Sequence, residues 1–148
     1  MTNRPYVLVD IDHTLSNAWW RDSLIGDWDA YHAVSGQDNP LQDVITMVNA
    51  LHRCGRSIIG LTARPEKWRQ LTMEWLVKHF VSMDELLMRS DDDFRPAPEV
   101  KVALALERFK DESNLRNQVA LVLDDREDVI EAFRALGVTA LQVFGRRV

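Results

Sequence analysis

Tyr6-Val7-Leu8-Val9-Asp10-Ile11-Asp12-His13-Thr14 is the stretch on which the fold turns. Its first four residues form a short apolar run. Such a run suits a strand covered on both faces, as in the middle of a parallel sheet. The run stops on two acids one residue apart. On an extended chain Asp10 and Asp12 point to the same side.

Working outward, the same punctuation recurs twice. Residues 57–61 form a second apolar run, ending at Thr62, and residues 119–123 form a third, ending at Asp124-Asp125. Residues 85–88 and 139–144 read as further strands. Helical spacing fills the intervals. Asn39-Pro40 reads as a helix start, with Asn as cap and Pro in the first position. Leu41, Val44, Ile45, Val48 and Leu51 follow on one face, and Gly55 is the stop. Pro65 opens a second helix carrying Trp68, Leu71, Trp75 and Leu76. Residues 89–98 are polar and proline-containing, hence a loop. Residues 100–109 form a third helix, and Val129, Ile130, Phe133 and Leu136 mark a fourth, closed by Gly137. Residues 15–39, rich in Trp, Asp and Gly, are irregular and read as a small cap-like insert.

Strands alternating with helices imply an α/β fold: a three-layer, Rossmann-like, mostly parallel sheet with helices on both faces. The expected organisation is one domain over residues 1–148 with a minimal cap. Ligands of such sheets bind beyond the carboxyl ends of the strands. Asp10 and Asp12, Thr62, and Asp124 with Asp125 should therefore meet at one edge.

The bulk properties narrow the function classes. The 148 residues carry a formal net charge of −5, which argues against a broad basic surface for duplex nucleic acid. Cys54 is the only cysteine, so no internal disulfide is possible. The N-terminal segment is too short and polar for a signal peptide or membrane helix, so an intracellular, cytoplasmic protein (host cytoplasm for a viral one) is expected. No Gly-x-x-x-x-Gly-Lys-Ser/Thr loop occurs, so no kinase half is visible.

Clustered carboxylates repel one another unless a cation lies between them. Hard oxygen donors without His or Cys suit Mg²⁺, which shares its shell with substrate phosphate. Asp10 can attack phosphorus as a nucleophile. Asp12 can protonate the leaving oxygen and then activate water. Thr62 offers a hydroxyl to phosphate, followed by backbone N–H groups in a turn, and Lys101 a fixed positive charge. Each element is weak alone, since an acid after a strand is commonly a turn or a helix cap. The joint order is what singles them out.

Asp10-Ile11-Asp12-His13-Thr14, Leu61-Thr62-Ala63-Arg64, Lys101 and Asp124-Asp125 together resemble the haloacid dehalogenase superfamily of phosphatases, over nearly the whole chain. The resemblance implies Asp10 as nucleophile, Asp12 as acid/base, and Thr62 and Lys101 as phosphate ligands. It further implies Mg²⁺ held by Asp10, Asp124, Asp125 and the main-chain carbonyl of Asp12. His13 departs from the glycine of many members. A closer resemblance is to the 3′-phosphatase domain of phage polynucleotide kinases. It is carried by Thr62-Ala63-Arg64, Leu87-Met88-Arg89, Asp27-Trp28-Asp29-Ala30-Tyr31 and Leu123-Asp124-Asp125-Arg126. It implies phosphate contacts from Arg64 and Arg21, and a phosphorylated DNA or RNA end as substrate.

Three functions compete: a 3′-end phosphatase, a small-molecule phosphatase acting on nucleoside monophosphates, and a non-catalytic or receiver-like phosphate-binding module. A receiver would carry its lysine after the last acid pair, whereas Lys101 precedes Asp124-Asp125. Trp19, Trp20, Trp28 and Tyr31 either pack the insert onto the body or stack a base. Trp68 and Trp75 read as core. Arg89 and Arg95 read as solvated or ion-paired, Arg126 as a residue orienting Asp125, and Asp91-Asp92-Asp93 as a solvated turn.

Overall fold

The computed structural model describes residues 3–144. Seven strands occur among them: β1 (Tyr6–Val9), β2 (Ser16–Asn17), β3 (Asn39–Pro40), β4 (Ser57–Pro65), β5 (Glu85–Arg89), β6 (Val119–Asp124) and β7 (Ala140–Gln142). Five form one parallel sheet in the order β5-β4-β1-β6-β7. The central position of β1 explains why its residues are apolar without alternation.

Six α-helices accompany the strands: α1 (Trp28–Ala33), α2 (Gln42–Arg53), α3 (Arg69–Lys78), α4 (Ala97–Phe109), α5 (Glu112–Gln118) and α6 (Glu127–Ala135). The chain moves outward from β1 to β4 and β5, then returns to β6 on the other flank. Right-handed crossovers put the outward helices on one face and the returning ones on the other. The core divides accordingly. Val7, Val9, Ile58 and Leu123 pack with Ile45 and Val48 of α2 and Trp75 and Leu76 of α3. Leu8, Ile59, Leu61 and Val122 pack with Ala105 and Phe109 of α4, Leu115 of α5 and Val129, Ile130 and Phe133 of α6. The period of two along each strand serves both cores. The three layers expected from the sequence are present.

Several local expectations are corrected. Asn39-Pro40 does not start a helix. It pairs antiparallel with Ser16–Asn17, and α2 begins at Gln42 after Leu41. The proline has no N–H to donate, which a two-residue strand tolerates. Pro65 closes β4 rather than opening a helix; a 3₁₀ turn over Glu66–Trp68 precedes α3. Trp75 is core, whereas Trp68 lies half-buried in that turn. Residues 15–39 hold β2, two 3₁₀ turns, α1 and β3 rather than irregular chain. Helix α5 carries no apolar repeat long enough to announce it. Its N-cap is Asp111, whose side chain accepts from the Asn114 N–H. Gly55 and Gly137 do end helices, with φ of +91° and +78°, where a side chain would be strained.

Candidate active site

The sheet order brings the ends of β1, β4 and β6 side by side, so Asp10, Thr62 and Asp124 emerge next to one another. Asp10 follows directly on β1, and its N–H donates to the Leu123 carbonyl at 2.9 Å. Its carboxylate is buried. It accepts from Thr14 Oγ1 at 3.1 Å and from Lys101 Nζ at 2.8 Å. The same ammonium donates to Asp124 Oδ2 at 2.6 Å. Lys101 sits one turn into α4, and the helix aims it into the gap between two strand ends.

Asp10, Asp124 and Asp125 each present one oxygen within 4.8 Å of the others. An all-carboxylate trio of this spacing can hold a hard cation. Burial, and next the charge of Asp10, push the Asp124 and Asp125 carboxyls above the usual carboxylate range. Burial acts against the Lys101 ammonium, but Asp10 and Asp124 outweigh it and keep it charged. Two carboxyls displaced upward beside one cation describe a site short of positive charge.

A second, separate cluster forms around Asp12. Its carboxylate is not in the trio; it faces two arginines. Arg64 Nε and Nη2 donate to it at 2.9 and 2.7 Å, a bidentate fork. Arg21 Nη2 donates to the same carboxylate. Burial would raise the Asp12 carboxyl, yet Arg64 and then Arg21 hold it well below the usual range. Arg64 is further held by Thr72 Oγ1 at 3.1 Å. Thr62 is buried, and its Oγ1 accepts from the Arg64 N–H at 3.2 Å. No turn follows Thr62 as expected: β4 continues to Pro65 with a register irregularity.

Asp38 escaped the sequence reading. It is 2% exposed and accepts from Arg21 Nε at 2.9 Å and Arg21 Nη2 at 2.6 Å. Trp20 Nε1 donates to it at 2.8 Å and Ser16 Oγ at 3.0 Å, and its backbone carbonyl takes the Trp75 indole N–H at 2.8 Å. Asp38 lies in the segment of residues 15–39 read as irregular, and no spacing in the sequence pairs it with Arg21. His32, whose spacing to other histidines offers no zinc site, packs in the same insert. It is buried beneath Trp28, and burial lowers its imidazole to about 4, so it is neutral near pH 7.

Other assignments change role. Arg126 does not orient Asp125: its guanidinium grips Asp128 at 2.7 and 3.0 Å, while its N–H donates to Asp124 Oδ1 at 3.0 Å. Gln142 holds Asp125 through the backbone instead, at 3.0 Å. Arg89 is held by carbonyls of Ala63, Asp93 and Arg95 rather than by a carboxylate, whereas Arg95 is ion-paired, with Asp93, as expected. His13 has φ +63°, the left-handed region that favours glycine, so the histidine adopts the backbone that the glycine of many members suits.

The family model for the polynucleotide kinase PNKP phosphatase domain matches residues 4–145. The chain belongs to that family. It is therefore a phosphatase of the haloacid dehalogenase type, which corresponds to the resemblance carried by the sequence motifs. A chain of the Pnkp1/Rnl/Hen1 complex is 29% identical with a TM-score of 0.81, over 99% of this chain and 49% of that one. A chain of the Pnkp1/Rnl/Hen1 RNA repair complex gives 29% and 0.80, over 97% and 44%. This chain thus spans about half the length of those Pnkp1-complex chains or less. A haloacid dehalogenase-like hydrolase from Streptococcus pneumoniae shares the fold at 12% identity, with a TM-score of 0.68 over 96% of this phosphatase and 85% of that chain. A search of curated proteins finds no match. Among the described residues, no helix of the phosphatase is long and apolar enough to cross a membrane.

Proposed function

We propose that this phosphatase removes the 3′-phosphate from DNA or RNA ends through an aspartyl-phosphate on Asp10, with Mg²⁺ as cofactor. The observation that carries the reading is the division of labour at the end of β1. Asp10 belongs to a carboxylate trio beside Lys101, while Asp12, two residues on, faces an arginine pair. Residues 15–39 serve as a small cap-like insert on a single phosphatase domain, leaving the entrance open to a strand end.

In this reading a carboxylate oxygen of Asp10 attacks phosphorus, and the bond from phosphorus to the 3′-oxygen breaks. Asp12, which takes up a proton from solvent as the incoming phosphate engages its arginines, gives that proton to the oxygen, releasing a 3′-hydroxyl end. Asp12, now a carboxylate, takes a proton from water. The resulting hydroxide attacks phosphorus, inorganic phosphate leaves, and Asp10 is regenerated. Thr62 Oγ1, Arg64, Arg21 and Lys101 are the phosphate donors. An incoming phosphate shares the arginines with Asp12, and the proton affinity of Asp12 rises toward the ordinary range as that happens. The donor set of Asp10, Asp124, Asp125 and the Asp12 carbonyl suits Mg²⁺, which when bound supplies positive charge against the phosphate oxygens.

Turnover of a 3′-phosphorylated oligonucleotide is compared with that of 3′- and 5′-mononucleotides. The oligonucleotide is expected to be preferred in kcat/KM. Equal or better use of mononucleotides would instead assign a small-molecule phosphatase, the reading toward which the net charge of −5 leans.

The cation requirement has a stability signature. The Asp124 and Asp125 carboxyls lie above their unfolded values, so the metal-free folded chain binds protons more tightly than the unfolded one. Their stabilising share is full below about pH 4 and is lost as pH rises through the raised values. In EDTA, the thermal midpoint is expected to fall between pH 5 and pH 8. With Mg²⁺ that fall should largely vanish, because the cation replaces the protons. A midpoint independent of both pH and Mg²⁺ would remove the cation from this site.

A further inference from the structure

We propose that the half-exposed indole of Trp20 is the platform on which the base of the phosphate-bearing nucleotide stacks, an inference that rests on a nucleic-acid end as substrate. Trp20 is 47% exposed, unusual for the largest apolar side chain next in sequence to a fully buried Arg21. Its only polar atom is already used. Nε1 donates to Asp38 Oδ1 at 2.8 Å, the same oxygen that accepts from Arg21 Nε at 2.9 Å. Trp20 and Arg21 therefore hang on one buried carboxylate, and Arg21 in turn donates to Asp12. The indole is thus three hydrogen bonds, through Asp38 and Arg21, from the acid that serves the leaving 3′-oxygen.

This arrangement differs from that of an aromatic packing a loop. A packing indole buries its ring and leaves its N–H to find any partner. Here the N–H is fixed inside and much of the ring is left in water, beside donors suited to phosphate. A ring held by a hydrogen bond to a buried anion loses little freedom when a base settles on it. Every base offers a π-face, so the contact recognises a nucleoside without choosing its sequence. The exposed ring also provides nucleotide affinity that a chain of net charge −5 lacks in long-range attraction.

The test is a double-mutant cycle in kcat/KM. One partner is the protein: wild type, Trp20→Phe and Trp20→Ala. The other is the substrate: a 3′-phosphorylated oligonucleotide and the same strand with an abasic terminal nucleotide. p-Nitrophenyl phosphate serves as the base-free reference. The wild type is expected to prefer the base-bearing end by roughly tenfold, within the range known for one stacked base. Trp20→Ala should erase that preference, and Trp20→Phe, which keeps a ring without an N–H, should retain most of it. A preference that survives Trp20→Ala, or equal use of both ends by the wild type, overturns the platform while leaving the phosphatase reading intact. So does an equal loss in both variants on p-nitrophenyl phosphate, which would reduce Trp20 to a support for Asp38. Hydrolysis of p-nitrophenyl phosphate without either oligonucleotide would overturn the substrate reading and the platform together. The wild-type comparison needs no variant to fold.

Discussion

Asp10→Asn is expected to abolish turnover of any phosphate monoester, by at least about a thousandfold in kcat. The amide is nearly isosteric, so packing around β1 changes little. It lacks the charge and nucleophilicity needed to attack phosphorus, and one of its two terminal atoms is an N–H donor facing Lys101, which already donates to Asp10 Oδ1 at 2.8 Å. Stability should therefore move far less than rate, and in either direction. The measurement is steady-state hydrolysis of p-nitrophenyl phosphate with Mg²⁺, alongside a thermal melt. A variant that folds and keeps a tenth of the activity would end the covalent mechanism.

Lys101→Met should produce the largest loss of stability in the chain. The ammonium is buried between Asp10 and Asp124, at 2.8 and 2.6 Å. Methionine fills nearly the same volume but leaves two buried acids facing each other. Breaking a buried ion pair from one side costs about 3–5 kcal/mol. In EDTA the denaturant midpoint should drop by that equivalent. Mg²⁺ should recover a good part of it, because a divalent cation restores the missing charge. Activity should remain low even with Mg²⁺, since one phosphate donor is gone. A Lys101→Met protein as stable as the wild type in EDTA would show that the Lys101 pair contributes nothing to the folded state.

The sequence carried the sheet and the acids at its edge because both are written in single positions. An apolar run that ends on an acid says at once where the strand is and what it presents, as at Asp10 and Asp124. Thr62 and Lys101 fell to the same logic of order along the chain. The segment of residues 15–39 resisted because its structure is not periodic. Its two-residue strands and short helix depend on contacts across it, such as Ser16 with Asp38 and Arg21 with the Tyr31 carbonyl at 3.0 Å. Asn39-Pro40 misled for a definable reason: the pair that opens a helix on local grounds is also a legitimate strand end when a partner strand exists. Asp38 illustrates the remaining gap. A buried aspartate is found by what surrounds it, and its hydrogen-bond partners run from Ser16, 22 positions before it, to Trp75, 37 positions after.

The pairing of Ser16–Asn17 with Asn39–Pro40 has an evolutionary corollary. It ties the insert shut at its base, so the geometry of Asp12, Arg21 and Asp38 is settled before the chain reaches its outer bend. That bend, at Ile25 and Gly26, is exposed, and a side chain added at Gly26 would meet nothing within 4 Å, although its φ of +109° favours glycine. Lengthening a closed loop at such a point costs little, about 0.6 kcal/mol for each doubling. New residues there would extend the insert without disturbing the cluster at its base. A lineage could thus enlarge the insert by insertion alone, keeping the residues at its base unchanged.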